Sequence, residues 1–542
     1  MKSSSGSLAR GLSLFAFPAL LSLGAWLPGC SATIDEGTPT ATDEDDLTSL
    51  TARSRELRFE GLVYVEVGAS DATILKAARA QSQSAFGALL ALEISVESRE
   101  LKDISPTTFK KREVTVFDTN NPGDRGKAQL EVKYQYRDNA VVPTALSRRT
   151  SLPLAVLGGA FDTEANRATI VAACTKNDKE ARDDAASGLL WYDFNPSKAS
   201  CKAAITDEQE KVDADRAKLA DARTQVPRSQ LDRLYVPATM SLGAAKTTRG
   251  STYPEYDKLF SQGVTPGKLT IGALTGRLAH DHVEATKDDG YYEWMDMLGV
   301  VFEAHPGFTL TKIDPPEDIT TVTVGSKRLE GLKFADVIQW TVYDIGYPSG
   351  LTAAEKTELR VKMAQKLDNH WLTFEMPTKV SINGGAAKEF GIVLNTSFGA
   401  EEGATPYKRA IKTSDVFVFN GHSYIGRGPL DPANFRASDF PSTYQLLFID
   451  SCVSYNYYNE GYFLVKPGGT KVLDTITNGI EAPEYQSGMA EGQLIAKLID
   501  GSMPSYQTLL REAKATDPMR VVDGEVDNTY SPTRTPIKLV RP

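Results

Sequence analysis

The chain has 542 residues, more than one hydrophobic core usually supports, which sets an expectation of two domains plus tails. With 41% hydrophobic and 24% charged residues, its composition excludes general disorder. A formal charge of −10 argues against nucleic acid as a partner, because phosphate binding needs clustered Lys and Arg.

Residues 1–30 join a basic start, Lys2 and Arg10, to an apolar stretch from Leu12 to Leu27, which is the layout of a secretory signal rather than a membrane span. The sequence LPGC that closes this stretch resembles the bacterial lipobox: Leu27, Gly29 and Cys30 fit it, and Pro28 stands where a small residue is commoner. The resemblance implies a bacterial lipoprotein, acylated at Cys30 and tethered to a membrane by its acyl chains, palmitate among them. Ser31 after the cysteine implies an outer-membrane address in the cell envelope, facing either the periplasm or the surface. The plainer alternative is an ordinary cleaved signal peptide.

Residues 31–54 are rich in Thr, Asp and Glu and poor in large apolar side chains, so they read as a disordered acidic tether. Residues 55–234 suggest an α+β N-terminal domain. LRFEGLVYVEVG alternates like a strand, DATILKAARAQSQSAFGALLAL is helical, and REVTVFD and KAQLEVKYQY read as a hairpin about TNNPGDRG. Asp118 and Asn120 in that turn are spaced like calcium ligands, but Pro122 and Gln129 occupy ligand positions, so a plain turn is expected. Cys174 and Cys201 lie in one region of an exported chain and are expected to form a disulfide. Thr206 and Gln209 have the spacing of a capping box that opens a charged helix.

Residues 235–514 alternate strand and helix, which predicts an α/β domain with a mostly parallel central sheet, followed by a tail at 515–542. KLTIGALTG, ADVIQWTVYDI, KEFGIVL, DVFVFN, YQLLFID and KVLDTIT read as strands. YYEWMDMLGVVFEA, TAAEKTELRVKMAQKLD and SGMAEGQLIAKLID read as helices, the second capped by Thr352 and Glu355, with Leu359, Met363 and Leu367 on one face.

Two of the strand candidates end on reactive residues. VFVFNGHS leads into His422, one of five histidines, and LLFIDSCVS leads into Cys452, the cysteine left over once Cys30, Cys174 and Cys201 are assigned. Adjacent parallel strands would bring their carboxyl ends, and so these two side chains, to the edge where chemistry collects in α/β sheets. A thiolate is a nucleophile and an imidazole can move its proton, while the Ser423 and Cys452 amides, just past the strands, are candidate oxyanion donors.

NGHS and DSCVS resemble the His and Cys blocks of the caspase-like cysteine peptidases, a family that includes caspases, metacaspases, legumain and gingipains. The resemblance covers residues 415–454, and the short interval between His and Cys is closest to that of the gingipains. It implies a caspase-like three-layer α/β sandwich, and it implies a peptidase with Cys452 as nucleophile, His422 as general acid and base, and a protein or peptide substrate. Gly421 would permit a close backbone turn. Asp450 matches the position that lines the metacaspase pocket for a basic P1 side chain, which implies cleavage after Arg or Lys. Ser423 replaces the usual glycine, which raises the alternative of an inactive scaffold or binding lipoprotein. A third reading is a related acyl transfer by the same dyad. No cofactor is implied, and the oligomeric state is left open.

The other histidines carry less. His280 and His282, with Asp281 or Glu284, could suggest zinc but lack a third ligand, so polar strand-end roles are expected. His305 and His370 are assigned structural roles. Tyr455, Tyr457, Tyr458 and Tyr462 could form a substrate-facing wall or pack against the sheet.

Overall fold

Short apolar runs that end on polar residues form the middle of a ten-stranded mixed sheet. The computed structural model describes residues 47–176, 179–246, 250–279, 283–399, 403–483, 485–513 and 518–540, all within one compact unit. Cys30, the signal, most of the tether, and His280, Asp281 and His282 lie outside the described residues.

The molecule is mixed α/β. Five neighbouring strands run parallel in the spatial order Lys388–Phe398, Lys268–Thr275, Val416–Asn420, Gln445–Asp450, Leu473–Asn478. Both flanks are antiparallel. Arg520–Asp523 and then Thr48–Ser49 extend one edge, while Trp371–Ile382, with Thr309–Asp314 and Ile537–Val540 beside it, extends the other. The expected mostly parallel sheet is therefore only the centre of a larger one.

The parallel strands are apolar throughout because both their faces are covered. Val416, Val418, Leu446 and Phe448 face the helices Asp289–Ala304 and Ser487–Leu498, whereas Phe417, Phe419, Leu447 and Ile449 face the opposite way, toward helices Thr405–Thr413 and Ser454–Val465.

The N-terminal region builds a second, seven-stranded sheet around the long hairpin of Ala52–Val65 and Lys127–Pro143. Its apolar side merges with the second face of the central sheet, so Leu57, Tyr134 and Met240 share one buried cluster with Phe417, Leu447 and Tyr457. Cys174 and Cys201 form a disulfide that ties helix Glu164–Cys174 to helix Ala199–Arg216. In the turn at 118–126, side-chain oxygens of Asp118, Asn121 and Asp124 accept from turn amides.

Several boundaries differ from the sequence reading. Residues 48–49 and 52–54 are strand rather than tether, and 520–523 and 537–540 are sheet strands rather than tail, because each finds backbone partners in a sheet. Tyr235–Leu242 pairs within the N-terminal sheet, so that region extends past 234. The stretch read as the strand ADVIQWTVYDI, residues 335–345, falls instead largely within the helix Phe334–Val342, which buries Phe334, Val337, Ile338 and Thr341 at helical spacing. Thr206 is no cap: its helix starts at Ala199, and its hydroxyl donates to the Lys202 carbonyl one turn back. Thr352 and Glu355 do form a capping box.

Candidate functional site

Asn420 is the register partner of Asp450 on the neighbouring parallel strand. His422 and Cys452 each lie two residues beyond that pair. Neighbouring strands run about 4.8 Å apart, so the two residues follow neighbouring strand ends. The histidine strand also pairs with Lys268–Thr275, and in a 2-1-3-4-5 order the gap between those two is the point where the chain's winding reverses.

Across that gap, His422 Nε2 lies 3.1 Å from the carbonyl oxygen of Leu278. A carbonyl only accepts, so Nε2 carries the hydrogen, and in the neutral ring Nδ1 is then the basic nitrogen. The Leu278 peptide is itself held. Asp288, buried at the start of helix Asp289–Ala304, accepts from the amides of Leu278 at 2.9 Å and Ala279 at 3.3 Å. Arg277 anchors the same loop through two 2.6 Å bonds to Asp368. The residue that orients the imidazole is thus a backbone carbonyl, which no side-chain motif could reveal.

The turn before His422 requires glycine. A Cβ at Gly421 would stand 2.8 Å from the Phe419 ring and 3.4 Å from the Gly276 Cα. Ser423 has φ −81° and ψ −18°, a conformation open to any residue, so its side chain imposes no backbone strain. Its carbonyl accepts from the Tyr458 hydroxyl at 2.7 Å and from the Gly426 amide at 2.8 Å. Beyond the two strand ends, Tyr424, Ile425 and Val453 all adopt left-handed backbone, with φ of 50°, 54° and 51°. Such residues cost about 1–3 kcal/mol each and gather where the surrounding fold enforces a functional geometry.

Cys452 is a partly exposed cysteine outside any disulfide, in the turn between its strand and helix Ser454–Val465. The Val453 amide donates to Ile480 O at 3.1 Å, and Ser454 Oγ donates to Ile449 O, so the turn is clamped from both sides. Tyr192 of the N-terminal region stands close by: burial, then the charges of Glu481 and Cys452, push its phenol far up. Tyr192 also lines a cavity of about 590 Å³ together with Lys198, Ile480 and Glu481, and neither Cys452 nor His422 is part of its wall. Tyr455, Tyr457, Tyr458 and Tyr462 are buried, so they pack rather than face a ligand. Tyr424 does present a ring to solvent, 41% exposed and edge-on to His422 with centroids 5.7 Å apart.

One N-terminal segment reaches both reactive loops. The Val96 and Ser98 carbonyls accept from Asn456 at 2.9 and 3.0 Å, and Arg99 bonds Asp431 at 2.8 Å and the Gly426 carbonyl.

Asp450 does not face a ligand. It is 1% exposed, with Oδ2 taken by Arg520 at 2.7 Å and Oδ1 by Asn478 at 2.7 Å. The sequence reading fails here because the compensating cation comes from a strand placed in the tail. Two more buried carboxyls stand near this pair: burial pushes Glu293 up to about 7, and burial with the charges of Asp450 and Glu293 pushes Glu491 well up.

His305 Nε2 donates to the Ala496 carbonyl oxygen at 2.8 Å, since that oxygen only accepts. His370 bonds the Asp368 carbonyl through Nδ1 at 2.9 Å. Both are structural. No group of His, Cys, Asp and Glu among the described residues has the arrangement of a metal site. Compared with protein-family models, with curated proteins and with solved structures, the chain has no significant match.

Proposed function

We propose that the chain is an exported, lipid-anchored cysteine endopeptidase of caspase-like architecture, in which Cys452 and His422 hydrolyse a peptide bond. The observation that supports this reading is the common register of the two strands: Cys452 and His422 each come two residues after the paired Asp450 and Asn420.

His422 Nδ1 takes the thiol proton, and Cys452 Sγ attacks the scissile carbonyl carbon. The oxyanion is met by the Ser423 and Cys452 amides, and the positive end of helix Ser454–Val465 favours negative charge at the turn. As the C–N bond breaks, His422 returns the proton to the leaving amine; water, deprotonated by the same imidazole, then hydrolyses the thioester. The Leu278 carbonyl keeps the ring in the tautomer these steps need.

Because Asp450 is spent on Arg520, recognition of a basic P1 residue does not rest on it, and P1 preference is read from a peptide library rather than assumed. The test uses the chain from residue 31 onward. Turnover of library peptides should fall at least about 100-fold in Cys452→Ala and in His422→Ala, the scale of a lost acid-base or nucleophilic group. A peptidyl acyloxymethyl ketone should label Cys452 alone. Equal turnover by Cys452→Ala rules the dyad out.

A further inference from the structure

We propose that the N-terminal region holds a binding site for a small amphiphilic carboxylate, whose anionic head meets Arg233 and whose apolar body fills the adjoining cavity. The site is independent of the Cys452 reading.

Arg233 is only 7% exposed, yet its Nε has no hydrogen-bond acceptor in the structure. Its nearest carboxylate oxygen, Glu208 Oε2, stands 3.9 Å away, because the Glu208 oxygens accept from the amides of Leu234 and Tyr235 at 2.6 and 2.8 Å. The other contact, Nη2 to Gln209 Oε1 at 2.9 Å, is to a neutral group. Asp232, next in the chain, is turned to Arg228 at 3.2 Å. Burial lowers the Arg233 pKa, the mark of a cation whose lost hydration is not replaced by a full counter-charge. A buried guanidinium whose Nε lacks an acceptor is a receptor for a planar anion.

What lies beside it selects the rest of the ligand. A cavity of about 370 Å³ opens under helix Asp71–Gln83, walled by Leu62, Ala77, Ala80, Leu157, Phe161 and Val236. Its polar neighbours are already satisfied: Gln81 exchanges two 2.9 Å bonds with the Leu62 backbone, and Gln230 bonds Tyr64 and Arg216. Asp232 also lines the cavity, held by Arg228, and Arg233 is the cation there with an unmatched donor. A largely apolar pocket of this size with a convergent cation is a usual form of small-molecule site. Of the two other hollows that Arg233 lines, one holds Asp118, Glu208, Asp215 and Asp232, whereas a groove of about 810 Å³ carries Arg58, Lys133 and Arg216 against a single carboxylate, Glu60, and is the approach that favours an anion.

Isothermal titration of the chain from residue 31 onward with sodium octanoate, 1-octanol and inorganic phosphate tests this. Octanoate should bind once per chain, and octanol and phosphate at least about tenfold more weakly, since each lacks one half of the recognition. Arg233→Met should weaken octanoate at least about tenfold. Ala80→Leu and Gly159→Leu should do the same by filling the cavity while leaving the melting temperature unchanged; a Cβ at Gly159 meets nothing within 4 Å. Octanol binding as well as octanoate, phosphate binding as well as octanoate, no binding by any probe, or filling variants that bind normally would each overturn the proposal.

Discussion

The two sheets solve the problem of burial in opposite ways. In the N-terminal sheet all strand pairs but one are antiparallel, and one face is solvated, so Lys133 and Arg137 face outward while Val132, Tyr134 and Tyr136 face the core. In the central sheet five parallel strands end on one side, where Thr275, Asn420, Asp450 and Asn478 form a polar row just before the reactive loops. The difference shows why chemistry is concentrated in one region: only the parallel arrangement brings several chain turns, with their unpaired amides, to one place. The antiparallel region instead supplies cover, the Arg99 segment and Tyr192, to the loops it lies against.

The largest expected effect on stability comes from the polar row. Arg520 and Asp450 are both buried, so Arg520→Met leaves a carboxylate without its partner and should cost about 3–5 kcal/mol in urea unfolding. A loss below about 1 kcal/mol would mean that the pair is not the counterweight described here. Next is the disulfide. Opening a 27-residue loop by Cys174→Ser with Cys201→Ser should cost about 3–4 kcal/mol. Because the two sheets share one buried cluster, the loss should appear as a lower but still single calorimetric transition. Two separated transitions would show that the regions are energetically independent.

The smallest effect is a pH dependence. Glu293 is held up to about 7 by burial, so the fold favours its protonated form. That contribution to stability is complete below the unfolded carboxyl range near 4.5 and is lost as pH rises through about 7. Glu293→Gln should therefore gain melting temperature relative to the parent between pH 5 and pH 8, by several degrees at the upper end. A constant difference across that range would contradict the assignment.

Much of the central sheet was legible because burial on both faces writes strands as short apolar runs, and the residues after two of them were conspicuous by their chemistry. Less was legible where a segment's partner lay far off in sequence. Trp371–Ile382 alternates well, but Pro377 within it argues against a strand; the structure places it beside the central core, where Pro377 is opposite Gly391. Thr48–Ser49 and Arg520–Asp523 carry too few residues to declare a period and become strands only because a sheet edge receives them. Within the site, Cys452, His422, Gly421 and Ser423 could be named from their positions after the strands. Asp450 was misread because its partner Arg520 is 70 residues away, and Leu278 was invisible because it acts through its backbone.

The rate at which Cys452 is alkylated by iodoacetamide, followed from pH 5 to pH 10 in the parent chain and in His422→Ala, tests the pairing most directly. Cooperation between sulfur and imidazole predicts that the parent reacts faster near neutrality and that this advantage disappears in the variant. Superimposable profiles would contradict it.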